Sequence, residues 1–114
     1  MGLDQYWFAD KRTKEQKLED VIKNEEPDLE EIGYHRKFWD LQTLIDTDNC
    51  ETIQVEEQMV AELKDWCNET LVDFHKLKDH EYAEVYDFQH LIEILAHVEE
   101  CLNKGYLVFY SANW

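Results

Sequence analysis

Apolar residues in this chain fall into short runs and longer helical stripes. Gln5-Tyr6-Trp7-Phe8-Ala9 is a short aromatic run and predicts a strand. Thr52-Ile53-Gln54-Val55 is β-prone and predicts a second, and the apolar, aromatic stretch from Tyr106 to Ser111 predicts a third. Between them the spacing becomes helical. Met59, Val60, Leu63, Trp66, Cys67, Thr70, Leu71 and Phe74 advance by one, three and four residues, the signature of an amphipathic helix with a broad buried stripe. After a break near Lys78-Asp79-His80 the pattern returns in Val85, Phe88, Leu91, Ile92, Leu95, Val98 and Leu102. Asn103-Lys104-Gly105 ends that helix, with Gly105 as its left-handed terminator.

Two segments are less regular. From Asp10 to Glu26 the chain is polar, and Leu18, Val21 and Ile22 at helical spacing suggest a short exposed helix. Pro27 disfavours helix at Glu26, and Asn24 to Glu31 predicts a loop rich in carboxylates. Beyond Gly33, the residues Tyr34, Phe38, Leu41 and Ile45 share a helical face with Trp39 on its flank, which predicts a helix over 34–46. Thr47-Asp48-Asn49 is turn chemistry. The expected fold is therefore α+β: a small, mainly antiparallel three-stranded sheet with both termini in it, packed with three to four helices on one face. One domain over 1–114 is expected, with a charged segment at 10–32.

Composition narrows the function. With 44% hydrophobic and 13% aromatic residues the chain has the material for a core, despite its charge. Lys+Arg number 11 and Asp+Glu 27, giving a formal charge of −16. That argues against direct binding of nucleic acid or an anionic membrane, both of which need a basic footprint. It favours a basic partner surface. No stretch approaches the roughly 20 apolar residues of a membrane span. No basic-then-apolar leader is recognisable after Met1. With three cysteines, Cys50, Cys67 and Cys101, and no C-x-x-C, a reducing cytoplasm with free thiols is expected.

The chain offers little catalytic chemistry. His90, His97 and Cys101 project to one side of the last helix near Glu93, but His90 and His97 lie two turns apart, too far for one ion to bridge easily. No metal or cofactor is expected. His97-Val98-Glu99 matches the H-x-E of zinc deaminases, yet the P-C-x-x-C that must accompany it is missing. Ser111 is the only serine, Cys67 lies on an apolar stripe, and the three glycines cannot build a phosphate loop. No catalytic residue is assigned.

Carboxylates are the more informative candidates. Glu62, Asp65, Glu69 and Asp73 step along one polar helix face and form a line about 16 Å long. Glu25, Glu26, Asp28, Glu30 and Glu31 form a second cluster. A protein that occupies a nucleic-acid groove would present such lines, and so would an ordinary solvated helix face. Glu62, Asp65, Glu69, Asp73, Glu30 and Glu31 are the expected partner-binding residues. His35-Arg36-Lys37 is the densest basic cluster of the folded part, and these cations are expected in internal ion pairs or, alternatively, at an anionic-ligand site.

Three blocks carry a resemblance: Met1-Gly2-Leu3-Asp4-Gln5-Tyr6, Gly33-Tyr34-His35-Arg36-Lys37, and Phe109-Tyr110-Ser111-Ala112-Asn113-Trp114. In this order the chain resembles a family of small uncharacterised bacteriophage and prophage proteins. These begin M-G-L-D-M-Y, carry G-Y-W-R-K, and finish an aromatic strand with S-W. His35 stands where the family has tryptophan, Gln5 where it has methionine, and Asn113 where it has serine. The resemblance implies a setting rather than an activity: small phage proteins are often inhibitors of host enzymes or defence systems such as CRISPR or restriction, and several are acidic mimics of nucleic acid. The expected function is thus a phage-type acidic protein that binds the basic surface of a host nucleic-acid enzyme or defence complex in an infected cell's cytoplasm. The alternative is a ligand-binding or enzymatic domain, with a pocket around Tyr34, Arg36, Lys37 and the C-terminal aromatics.

Overall fold

A computed structural model of the chain describes residues 2–26, 28–72 and 85–114. Its elements in order are β1 (Asp4–Asp10), α1 (Lys14–Lys23), β2 (Glu30–Arg36), α2 (Trp39–Ile45), β3 (Thr52–Gln54), α3 (Glu57–Val72), α4 (Val85–Asn103) and β4 (Leu107–Asn113). The α+β expectation holds, and both terminal runs are strands of one antiparallel sheet. The sheet has four strands in the order β2-β1-β4-β3. β1 and β4 form its centre, paired from Asp4 opposite Asn113 to Asp10 opposite Leu107.

Strand alternation decides what faces the helices. Gln5, Trp7 and Ala9 of β1 and Val108, Tyr110 and Ala112 of β4 are buried. Tyr6, Phe8, Phe109 and Ser111 point to the opposite face and are half-buried. The inner face meets Val60, Leu63 and Cys67 of α3 and Phe88, Leu91, Ile94, Leu95, Val98 and Cys101 of α4 in one core. Phe38, Trp66 and Phe88 pack together at ring separations of 5.1–6.0 Å. Each fully buried aromatic or aliphatic side chain of this kind contributes roughly 1.5–3 kcal/mol.

Helix α4 ends as its sequence predicts. Gly105 has φ +81°, its N–H bonds to Leu102 O, and the N–H of Tyr106 reaches back to Cys101 O, which makes a Schellman motif. Helix α1 also forms, and it buries none of its residues. The apolar stripe expected to continue to Phe74, and the break expected at Lys78-Asp79-His80, lie outside the described residues.

One expectation fails. The helix placed over 34–46 starts only at Trp39, and Glu30 to Arg36 form the fourth strand. Tyr34 is no member of a helical stripe: it sits opposite Tyr6 in the sheet and is exposed, while its neighbour His35 is buried. Lys37 has φ 59°, a left-handed conformation that cannot propagate a helix, and its N–H is taken by Leu3 O at 2.7 Å. The carboxylate loop correspondingly gives way to strand at Glu30. Gly33 is required by packing: a Cβ there would stand 2.7–2.9 Å from the Ile94 side chain, so only glycine lets β2 lie this close to α4. Ile94 and Cys101 join the core, and Ile92 and Leu102, which the sequence pattern favours, are partly buried against it.

Candidate functional site

Helix α3 buries Val60, Leu63, Cys67 and Thr70, which turns Glu62, Asp65 and Glu69 to solvent. All three are exposed, as the helical spacing requires; Asp73 lies outside the described residues. Glu62 accepts a hydrogen bond from Gln58 Nε2 at 3.2 Å. The one lysine of α3, Lys64, turns away and pairs with Glu99 of α4 at 2.8 Å. Glu30 and Glu31 sit elsewhere, on the edge strand β2. Glu31 is exposed, and Glu30 is held by Lys11 at 2.9 Å, which lowers its carboxyl pKa.

The basic triplet separates into three environments. His35 is buried and neutral: Trp7 Nε1 donates to its Nε2 at 3.1 Å, and burial pushes its pKa down to about 3. Arg36 and Lys37 are exposed and form no ion pair among the described residues. The ion pairs expected around this triplet are therefore not found among the described residues.

Tyr34 and Arg36 do share a pocket, of about 260 Å³, with His35 and with Tyr86, Asp87 and His90 of α4. The Tyr34 hydroxyl donates to Asp4 Oδ1 at 2.6 Å, which holds the phenol pKa above its usual value. His90 Nε2 donates to the Tyr34 carbonyl at 3.0 Å, and the ring of Tyr86 stacks on His90 at 5.7 Å and 6°. Lys37 does not line this pocket. Nor do the C-terminal aromatics. Tyr110 is buried in the core, and Trp114 packs against Trp39 at 6.1 Å with its backbone N–H and carbonyl both held by the Asn49 amide. Sequence spacing assigns Tyr86 no role and marks His90 only as a metal-ligand candidate. No local signal places them beside Tyr34, because the approach depends on β2 being a strand and on Gly33 meeting Ile94.

The larger cleft, about 400 Å³, runs between Lys11, Arg12, Gln16, Asp28 and Glu30. Its cations are already paired: Lys11 with Glu30, and Arg12 with Asp10 at 2.8 Å and Asp20 at 2.7 Å. Among the described residues no three His, Cys, Asp or Glu side chains converge as metal ligands. Cys67 and Cys101 are buried and Cys50 is exposed, all as free thiols, and burial pushes the Cys67 pKa up to about 12. No described helix is long and apolar enough to cross a membrane.

Together these features define a two-layer α+β domain whose helical layer presents an acidic face. The chain matches no family model, no curated protein and no solved structure.

Proposed function

We propose that this chain is a binding protein that docks the carboxylate face of α3 on a basic surface of its partner. The observation that carries the reading is that Glu62, Asp65 and Glu69 stand exposed along one helix face of a chain with net charge −16, while the one lysine of α3 turns to Glu99 of α4. A partner surface evolved for nucleic acid is the complementary chemistry, and a nucleic-acid enzyme or defence complex of a bacterial host is the kind of target the phage resemblance suggests. Occupation of the partner's groove would inhibit it.

The triple variant Glu62→Lys, Asp65→Lys, Glu69→Lys should bind such a target roughly 100-fold more weakly while keeping its fold, because the three side chains are exposed. The wild-type interaction should also weaken steeply with added salt. Titration of the target at low and raised salt, with inhibition of its nuclease or polymerase activity as the second readout, checks both. Binding that ignores salt and survives charge reversal would reject this reading.

A second reading rests on the pocket that joins Tyr34 and Arg36 to Tyr86 and His90. Arg36, which forms no ion pair among the described residues, lines it with two tyrosines, an imidazole and Asp87, and its guanidinium suits a small anion carrying a planar group. Calorimetric titration with nucleoside monophosphates should then show binding that Arg36→Ala removes and Lys37→Ala leaves intact. Equal loss in both variants would indicate nonspecific attraction and reject the pocket.

A further inference from the structure

From Phe38 to Leu63 the chain holds seven acids and neither a lysine nor an arginine. That stretch comprises α2, β3 and the first turns of α3. It also supplies four of the five apolar residues around one groove. Leu44 and Ile45 of α2 with Met59, Leu63 and Trp66 of α3 line a space of about 240 Å³, and Glu62 forms part of its wall. Leu44 is 52% exposed, Ile45, Met59 and Trp66 are half-buried, and Leu63 is buried. Glu62 is the one charged residue of the lining.

Helix geometry joins this groove to the carboxylate face. Met59, Glu62, Leu63 and Trp66 occur at i, i+3, i+4 and i+7 and share one side of α3. Asp65 and Glu69 follow Glu62 by three and seven residues and lie about a quarter turn round the helix from the groove. Glu62 stands where the two surfaces meet. A space of this size is smaller than the roughly 300–1,000 Å³ of a small-molecule site and suits one large side chain. Interfaces take most of their energy from a few such anchors in pockets, with polar and charged groups at the rim. The charge selects what can bring that anchor. Lys64, the nearest cation in sequence, is turned to Glu99 of α4 at 2.8 Å, so a segment seated beside Glu62 and Asp65 must carry cations of its own.

We infer that the α2–α3 groove is the anchor site of the same docking surface. Its occupant is a basic segment of the partner, with one leucine-sized apolar side chain in the groove and arginine or lysine neighbours against Glu62 and Asp65. The carboxylates supply attraction at a distance, and the groove supplies selectivity among basic segments. This rests on the partner-binding reading and deepens it from a basic surface to a basic segment with an apolar anchor.

Two synthetic arginine–alanine peptides of equal length and charge test it, one with leucine at its centre and the other with alanine there. In calorimetric titration the leucine peptide should bind the full chain about 10-fold more tightly. Only that peptide should shift the methyl resonances of Leu44 and Met59 and the indole resonance of Trp66. Leu44→Gln with Met59→Gln should bring the two affinities together, and Leu44→Gln alone, at an exposed site, should narrow the gap. Val72→Gln, at an α3 residue that is 85% exposed and outside the groove, should leave the gap unchanged. Circular dichroism of every variant should match the wild type. Equal affinities in the wild type overturn the inference, as does a leucine preference that survives the double variant. So does a glutamine–alanine peptide with the central leucine that binds as tightly as the arginine one, since the occupant would then not be basic. A wild-type chain that sediments at twice its mass while the groove variant does not would make the occupant a second copy and overturn it too. Failure of the carboxylate reading has a different signature: affinities for both peptides unmoved by salt and by Asp65→Lys with Glu69→Lys, with the ratio between them intact.

Discussion

Replacing Gln5 by leucine should lower the stability of the fold by about 2–4 kcal/mol, although leucine fills nearly the same volume. Gln5 is fully buried on β1. Its amide nitrogen donates to Phe38 O at 3.0 Å and its oxygen accepts from Phe38 N at 3.0 Å, so it pairs both backbone groups of the residue that enters α2. The same nitrogen donates to the Tyr110 hydroxyl at 3.0 Å, which donates to Gln42 Oε1 at 2.6 Å. Gln42 in turn donates to the carbonyl and hydroxyl oxygens of Thr47 at 3.0 and 2.8 Å. Leucine would leave the Phe38 N–H buried without a partner, at about 1–3 kcal/mol, and would remove one of the two donors to its carbonyl, which keeps the N–H of Gln42 at 3.2 Å. Tyr110→Phe removes one member of the chain of bonds and should cost about 1–3 kcal/mol. Because both residues share a bond, the double variant should lose less than the sum of the two. Urea unfolding of the four proteins, with the dependence on urea unchanged, measures each term. A Gln5→Leu protein as stable as wild type would mean that water replaces the amide at Phe38.

This network marks the limit of what the sequence discloses about the fold. The strands at 5 and 108 and the helices around 65 and 95 were legible because their buried residues follow local periods of two or 3.6. Gln5 and Gln42 break those periods. They are core residues only because partners 33, 105 and 68 positions away complete their hydrogen bonds. Strand β2 was missed for a related reason. Tyr34, Phe38, Leu41 and Ile45 do fall at helical spacing, but the spacing spans a turn at Lys37 whose conformation is fixed by the Leu3 carbonyl, far away in sequence.

The candidate sites divide along the same line. The exposure of Glu62, Asp65 and Glu69 follows from helix geometry alone, once the opposite stripe is known to be buried. The pocket at Tyr34 and Arg36 follows from tertiary packing, so the sequence supplied two of its residues and the wrong companions. Helix α1 is another such case: its apolar positions Leu18, Val21 and Ile22 are visible in the sequence, but only the structure shows how far they stay exposed.

His35 belongs to the basic cluster in the sequence, but its environment makes it neutral. As a neutral acceptor beneath Trp7 Nε1, with Phe38 and His90 rings at 5.4 and 5.5 Å, it should make the fold acid-labile. Burial, with a smaller contribution from His90, depresses its folded pKa to about 3, from 6.5 for an exposed imidazole. Between those values the unfolded chain binds a proton that the folded chain does not, so stability rises with pH through this window and is lost as pH falls from 6.5 toward 3. The loss approaches roughly 4 kcal/mol at the low end. Carboxylates titrate in the lower part of the same range, so the contribution of His35 is the difference between wild type and His35→Gln, which stays neutral and keeps an acceptor for Trp7. That gap should move against the wild type by about 4 kcal/mol between neutral pH and pH 3. Urea unfolding at stepped pH measures it, and NMR of the His35 ring should report the neutral tautomer down to about pH 4. Parallel stability curves, or a ring that titrates near 6.5, would show that His35 is solvated and that β2 does not lie under α4 as described.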